Sequence, residues 1–212
     1  MALVPAQSTG TVLIRKVLDY CMLKVDTELQ QVALDAINNA INKINTRNWK
    51  QLLAQDSTAL VADTRTYALP DNFRAPRHME WLDSSDKSHG HVPFKELKSI
   101  LVEHPDATES GSPRRYTVDR MARLVMFDVP PTAAHATEYV KYNLWYFARQ
   151  LHLAGGTSIA YPTEFEEYIM WRARAELASF RRPDAASYAY GQAKSAWTAL
   201  VADDNNTMSD WE

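Results

Sequence analysis

A single cysteine, Cys21, in 212 residues leaves no partner for an internal disulfide, and a reducing compartment is expected. It falls in an apolar helical pattern, where a buried thiol is a common filler. Glycine is also scarce, and no glycine-rich phosphate loop, dinucleotide fingerprint, nucleophile elbow or His-Glu-x-x-His helix occurs. Long hydrophobic runs are missing: no apolar stretch approaches the roughly 20 residues that span a bilayer. The opening Met1-Ala-Leu-Val-Pro-Ala-Gln-Ser-Thr-Gly10 lacks the basic and apolar pattern of a cleavable leader, so neither membrane insertion nor export is expected. Nor is there an excess of positive charge. The 23 Lys and Arg against 26 Asp and Glu leave a net −3, which does not favour gripping a phosphate backbone.

What remains is ample apolar material, 46% of the chain, enough for a sizeable core. Leu13, Val17, Leu18, Cys21 and Met22 recur at helical spacing and predict a first helix over residues 11–24. A second is expected from Thr27, with Gln30 completing a capping box. Its apolar stripe is Leu29, Ala33, Ala36, Ile37, Ala40, Ile41 and Ile44, with Asn38, Asn42 and Asn45 turned elsewhere. Late in the chain, Thr163 and Glu166 form another box, and Phe165, Tyr168, Ile169, Ala173, Leu177 and Phe180 supply the stripe of a third helix. Pro183 breaks it, and a fourth runs from Asp184 to Ala202 with Ala186, Ala189, Ala193, Trp197, Leu200 and Val201 inward.

Between these helices the period changes from 3.6 to two. Thr58–Ala62, an Asp63-Thr64-Arg65 turn and Thr66–Leu69 read as a hairpin closed by Pro70. Further strands are expected at His78–Leu82, Arg115–Val118, Leu124–Asp128 and Thr137–Trp145. The loops between them include His89-Gly90-His91 and Gly111-Ser112-Pro113, and residues 93–103 read as a short helix. The expected fold is therefore α+β: a four-helix bundle of two N-terminal and two C-terminal helices, with an inserted small antiparallel β-rich layer. The expected divisions are residues 1–56, 57–150 and 151–202, followed by a polar tail over 203–212 that carries Trp211.

The residues that could carry chemistry have ordinary explanations. His89 and His91 are too few to hold zinc, which takes three or four protein ligands. Glu164, Glu166 and Glu167 could suggest the paired carboxylates of a small glycan hydrolase, but they suit the positive end of a helix dipole. Arg172, Arg174, Arg181 and Arg182 could form a nucleic-acid stripe, though Glu176 and the acidic first turn offset much of it. Tyr139, Tyr142, Trp145, Tyr146 and Phe147 could stack bases and suit a core or protein interface better. No catalytic, cofactor-binding or metal-binding residue is expected.

Several phrases, taken in order, point further. They are Thr66-Tyr-Ala-Leu-Pro-Asp-Asn-Phe-Arg74 after a strand and Pro162-Thr-Glu-Phe-Glu-Glu-Tyr-Ile-Met-Trp-Arg-Ala-Arg-Ala-Glu-Leu-Ala178 at a helix start. With them stand the Asn-rich Ala36–Asn45, Trp49, Ser112-Pro-Arg-Arg-Tyr116, Val125-Met-Phe-Asp-Val-Pro130 and Tyr188-Ala-Tyr-Gly-Gln-Ala-Lys194. Together they resemble the adaptor, or head-to-tail connector, proteins of tailed phages. The resemblance implies a non-enzymatic virion protein of the neck, made in the host cytoplasm and assembled as a ring, commonly of twelve copies. The portal protein would lie on one side and a tail or nozzle protein on the other, with genomic DNA passing through the channel unread.

Such a ring needs two different self-contacting surfaces, expected on the helices. The expected portal contact is the tail, with Trp211 as anchor beside Asp210 and Met208; the loops near His89 and Gly111 would then face the phage tail. Another neck or tail-completion subunit is the neighbouring alternative.

Overall fold

The computed structural model describes residues 10–24, 26–105, 108–154 and 163–206. In chain order the elements are α1 (Gly10–Tyr20), α2 (Thr27–Ile44), β1 (Leu53–Ala59), β2 (Thr66–Ala68), β3 (Phe73–Leu82), β4 (Ser88–Val92), α3 (Leu97–Glu103), β5 (Tyr116–Asp119), β6 (Leu124–Phe127), α4 (Ala133–Glu138), β7 (Lys141–Ala148), α5 (Thr163–Arg181) and α6 (Pro183–Asn206). A 3-10 turn (Lys50–Leu52) precedes β1. Two units result: a helical one of residues 1–52 with 150–212, and a strand-rich one of residues 53–149.

The α+β class stands, but the expected four-helix bundle with one inserted layer does not. The described residues form six α-helices and two separate antiparallel sheets. Nor do the long helices pack only as an N-terminal and a C-terminal pair: α1 meets α2 and α5 meets α6, but the two sets also pack on each other. α5 packs against α1, α2 and α6, and is the element the others share. Its buried Ala173, Ala175 and Ala178 permit that close approach from several sides.

Within the helical unit, local chemistry sets the ends. α1 buries Leu13, Ile14, Val17 and Leu18, then closes with Leu23 N–H donating to the Leu18 carbonyl and Met22 N–H to that of Asp19. That is a Schellman closure, with Met22 at φ 54 where glycine is usual. The cap of α2 lies one residue before the expected Thr27: Asp26 is extended, and its Oδ1 accepts from Leu29 N–H at 2.8 Å. A carboxylate there also faces the positive end of the helix dipole, an advantage Thr27 lacks. α6 has Pro183 in its first position and continues through Asp203 and Asp204 to Asn206.

The asparagines of α2 hold the returning chain. Asn45 donates from Nδ2 to the Gln150 carbonyl and accepts from Gln150 N–H, both at 2.8 Å. Asn38 repeats this with Leu153, at 3.2 and 2.8 Å. His152 Nε2 lies 2.6 Å from Asn42 Oδ1. Each amide side chain thus offers an extended backbone the donor and acceptor that a neighbouring strand would. Replacing Asn45 by alanine should cost about 1–2 kcal/mol in urea unfolding, since both Gln150 backbone groups lose their partner. Asn45→Asp, which cannot donate, should fall between wild type and alanine.

In the strand-rich unit, one sheet has the order β1-β7-β3-β4 and the other β2-β6-β5. The expected hairpin of residues 58–69 is absent: β1 pairs with β7, from Leu53 opposite Phe147 to Ala59 opposite Lys141, and β2 pairs with β6. The turn at Asp63, φ 60, carries the chain from one sheet to the other. Period-two patterning tells which face of a strand is buried but not which strand lies beside it.

Three further expectations change. Ala133–Glu138 is helical, with Thr132 Oγ1 accepting from His135 N–H at 3.2 Å, so the strand expected from Thr137 begins only at Lys141. His89-Gly90-His91, expected as a loop, belongs to edge strand β4, where Gly90 takes φ 110. Of residues 93–103 only Leu97–Glu103 is helical, and Phe94 bridges to Tyr116. Pro76 sits inside β3 where the register with β7 shifts, a place that tolerates its missing N–H. Aromatic side chains from both sheets meet in the core: the Phe127 ring lies 5.1 Å from Trp81 and 5.5 Å from Tyr142, in tilted and edge-on contacts.

Candidate functional site

In the helical unit the residues with chemical potential are used by the fold. Cys21 is buried in the turn after α1, and burial pushes its thiol pKa up, away from the reactive thiolate. Glu166 Oε1 pairs with Lys16 Nζ at 2.9 Å, while Glu164 and Glu167 face solvent near the start of α5. The side chain of Thr163 lies outside the described residues. The arginines do not form a phosphate-facing stripe. Arg172 lies over Tyr190 at 5.2 Å, and Arg174 over Trp171 at 4.7 Å and Tyr20 at 5.1 Å. Arg182 pairs with Asp184 at 2.9 Å, and only Arg181 is fully turned to solvent.

In the strand-rich unit, the sheet gathers His78 and Glu80 from β3, His91 from β4, and Asn143 and Trp145 from β7. The Glu80 carboxylate accepts from Asn143 Nδ2 at 3.1 Å and Trp145 Nε1 at 3.2 Å. Burial pushes its pKa up, yet these bonds and one from Ser88 outweigh burial and hold it below the usual range. His78 stacks on Trp145 at 5.7 Å, and burial pulls its pKa down. His91 approaches His78, whereas His89 Nε2 lies 2.6 Å from Asp83 Oδ2. The two histidines therefore engage different partners. Among the described residues, no three His, Cys, Asp or Glu side chains are placed to hold a metal ion. The aromatic end of β7 is likewise built in: Trp145 serves Glu80, and the Tyr146 hydroxyl donates to Asn72 Oδ1 at 2.9 Å. Gly111 is close-packed, since a Cβ there would stand 3.2 Å from Val129 Cγ2.

His135 gives this unit a pH response. It is 6% exposed, wedged between Trp81 and Tyr139, and its Nε2 has no partner. Burial pulls its pKa below 6.5, with Glu138 offsetting part of the shift. A histidine with a depressed folded pKa binds fewer protons folded than unfolded. Its contribution to stability is full above about pH 6.5 and is lost as pH falls through the folded value. His78 acts in the same direction. Thermal unfolding should therefore move to lower temperature between about pH 7 and pH 5, and His135→Leu should flatten that slope without abolishing it.

Surface features suited to partners are present in each unit. Phe180 and Tyr188 are 79% and 59% exposed in the helical unit, and Met121 and Val102 are 98% and 72% exposed in the strand-rich one. The expected portal-contact residues Met208, Asp210 and Trp211 lie outside the described residues. Just before them, Asp204 is 3% exposed, with Oδ2 accepting from Arg47 Nε at 3.1 Å and Nη2 at 2.9 Å, and Oδ1 from Lys50 N–H at 3.0 Å. Sequence reading missed this residue because an Asp-Asp-Asn-Asn run reads as solvated tail.

No curated protein matches the chain. A family model described as SU10 adaptor protein matches residues 8–211, almost its whole length and both units. The chain belongs to the SU10 adaptor protein family, a family of phage adaptor proteins.

Proposed function

We propose that this protein is the head-to-tail adaptor of a tailed phage, a ring in the virion neck that joins the portal to the tail and forms part of the DNA channel. The family match over residues 8–211 carries this reading. The described residues agree with a structural part: many of their polar and ionisable side chains are engaged in caps and ion pairs, and large apolar side chains are exposed in both units. A net charge of −3 suits a channel wall that lets DNA slide without gripping it.

In this reading the ring, of twelve copies, closes through heterologous contacts between neighbouring subunits. The segment with Met208, Asp210 and Trp211 meets the portal, and the loops near His89 and Gly111 meet the tail or nozzle protein. The test is to mix the full chain with its portal and image the product. A twelve-fold ring seated on the portal is expected; a persistent monomer that ignores the portal would refute the proposal. For the segment itself, residues 208–212 should be removed, not 203–212, because Asp204 is part of the helical unit. Unchanged portal binding after that shorter deletion would refute the anchor.

A further inference from the structure

The strand-rich unit holds a concentration of positive charge that helical or strand patterning does not explain. Arg74 at the start of β3, Arg120 and Arg123 in the β5–β6 turn, and Arg149 just after β7 line one cup of about 190 Å³. Its other lining residues are Leu69, Phe73 and Met121, so no acidic side chain lines it. Leu69 and Phe73 are buried, and Met121 stands at the turn almost completely exposed. In a molecule of net charge −3, four guanidinium groups around one concavity are a local feature.

We propose that this cup is a docking site for an acidic segment of a partner protein, one whose carboxylates meet the arginines and whose adjoining apolar side chain packs against Met121. Arginine presents its donors in a planar fork matched to carboxylate oxygens. Much of the cup is held ready. Arg123 Nη2 donates to the Pro70 carbonyl at 2.9 Å and reaches Asp71 at 3.4 Å; the turn is pinned by Asp119 Oδ1, accepting from Met121 N–H and Ala122 N–H at 2.9 Å each. Arg74 is partly buried, and burial first, then Arg149 and Arg120, pulls its pKa down; an incoming carboxylate relieves that repulsion.

The same fork also suits phosphate, but the cup is a poorer fit to a nucleic acid. It is compact, where a strand needs a track, and its one aromatic lining residue, Phe73, is buried and cannot stack a base. This inference stands apart from the ring, because it concerns binding by the single chain.

The test is fluorescence anisotropy of the full chain with fluorescein-labelled Gly-Glu-Asp-Leu-Glu-Asp-Gly, its Gln/Asn counterpart, and a labelled oligodeoxythymidylate. Arg120 and Arg149 are exposed, so Arg120→Glu/Arg149→Glu leaves the core intact. Lys87→Glu/Lys98→Glu, also exposed, makes the same change in net charge elsewhere. Binding of the acidic peptide is expected to weaken at least about tenfold in the arginine double variant and to persist in the lysine one, with the amide peptide not binding. Absent binding of the acidic peptide, equal loss in both variants, or amide binding as tight as acidic would overturn the proposal. Tighter binding of the oligonucleotide, lost in the arginine variant alone, would overturn it by assigning the cup to nucleic acid.

Discussion

Replacing Trp49 by alanine is expected to cost about 4 kcal/mol, a large share of the roughly 5–15 kcal/mol by which a typical domain is stable. Trp49 follows α2 and is completely buried. Its ring meets Phe165 of α5 and Trp197 of α6, each edge-on at 5.3 Å, and the Arg47 guanidinium lies over it at 5.2 Å. Its Nε1 donates to the Ile44 carbonyl at 2.8 Å, at the end of α2, a carbonyl that also accepts from Arg47 N–H at 3.2 Å. Alanine removes the packing of three elements at once and leaves a cavity that they cannot all close. Trp49→Phe keeps most of the volume and loses the hydrogen bond, so it should cost about 1–3 kcal/mol. Urea unfolding followed by circular dichroism at 222 nm measures both. A loss under about 1 kcal/mol for alanine would show that Trp49 is not the joint described.

Asp204→Ala should be the next largest, at about 3 kcal/mol. The carboxylate is buried while the Arg47 side chain is a third exposed, so water screens part of the loss on the arginine side. The Lys50 backbone N–H would lose this acceptor as well. Asp204→Asn keeps an oxygen for Lys50 and drops the charge, and should fall in between. In a double-mutant cycle with Arg47→Met, the second substitution should cost about 1 kcal/mol or more less once the first is made. Additive losses would show that the two side chains are not coupled. The same residue explains why α6 extends into what composition marks as tail: its end is tied to the turn after α2.

Legibility followed the range of the interactions. The faces of α2, α5 and α6, and the break at Pro183, depend on neighbours three or four residues away and could largely be read directly; the stripes fail at their ends, where Leu29 and Val201 are only partly buried and Phe180, expected inward on α5, is 79% exposed. So could Cys21 as a buried filler, and the family resemblance, which rests on the order of short local phrases. Asn38 and Asn45 were visible only as polar interruptions of a stripe. Their spacing along one face was a usable signal, but the backbone they hold lies more than a hundred residues on. Asp26 displaced Thr27 as cap because two adjacent residues both cap well, and only the dihedral angles choose.

By itself, then, the sequence determined an α+β chain without the marks of an enzyme, its long helices with their buried faces, and membership of an adaptor family. Only the tertiary structure decided that the strands form two sheets, that β1 lies beside β7, that α5 is shared by the other long helices, and that four dispersed arginines line one cup. The physical reason is common to all of these. Helical periodicity records contacts along the chain, whereas strand pairing and charge clustering depend on which distant segments the core brings together, and two-residue alternation is the same whichever partner a strand finds.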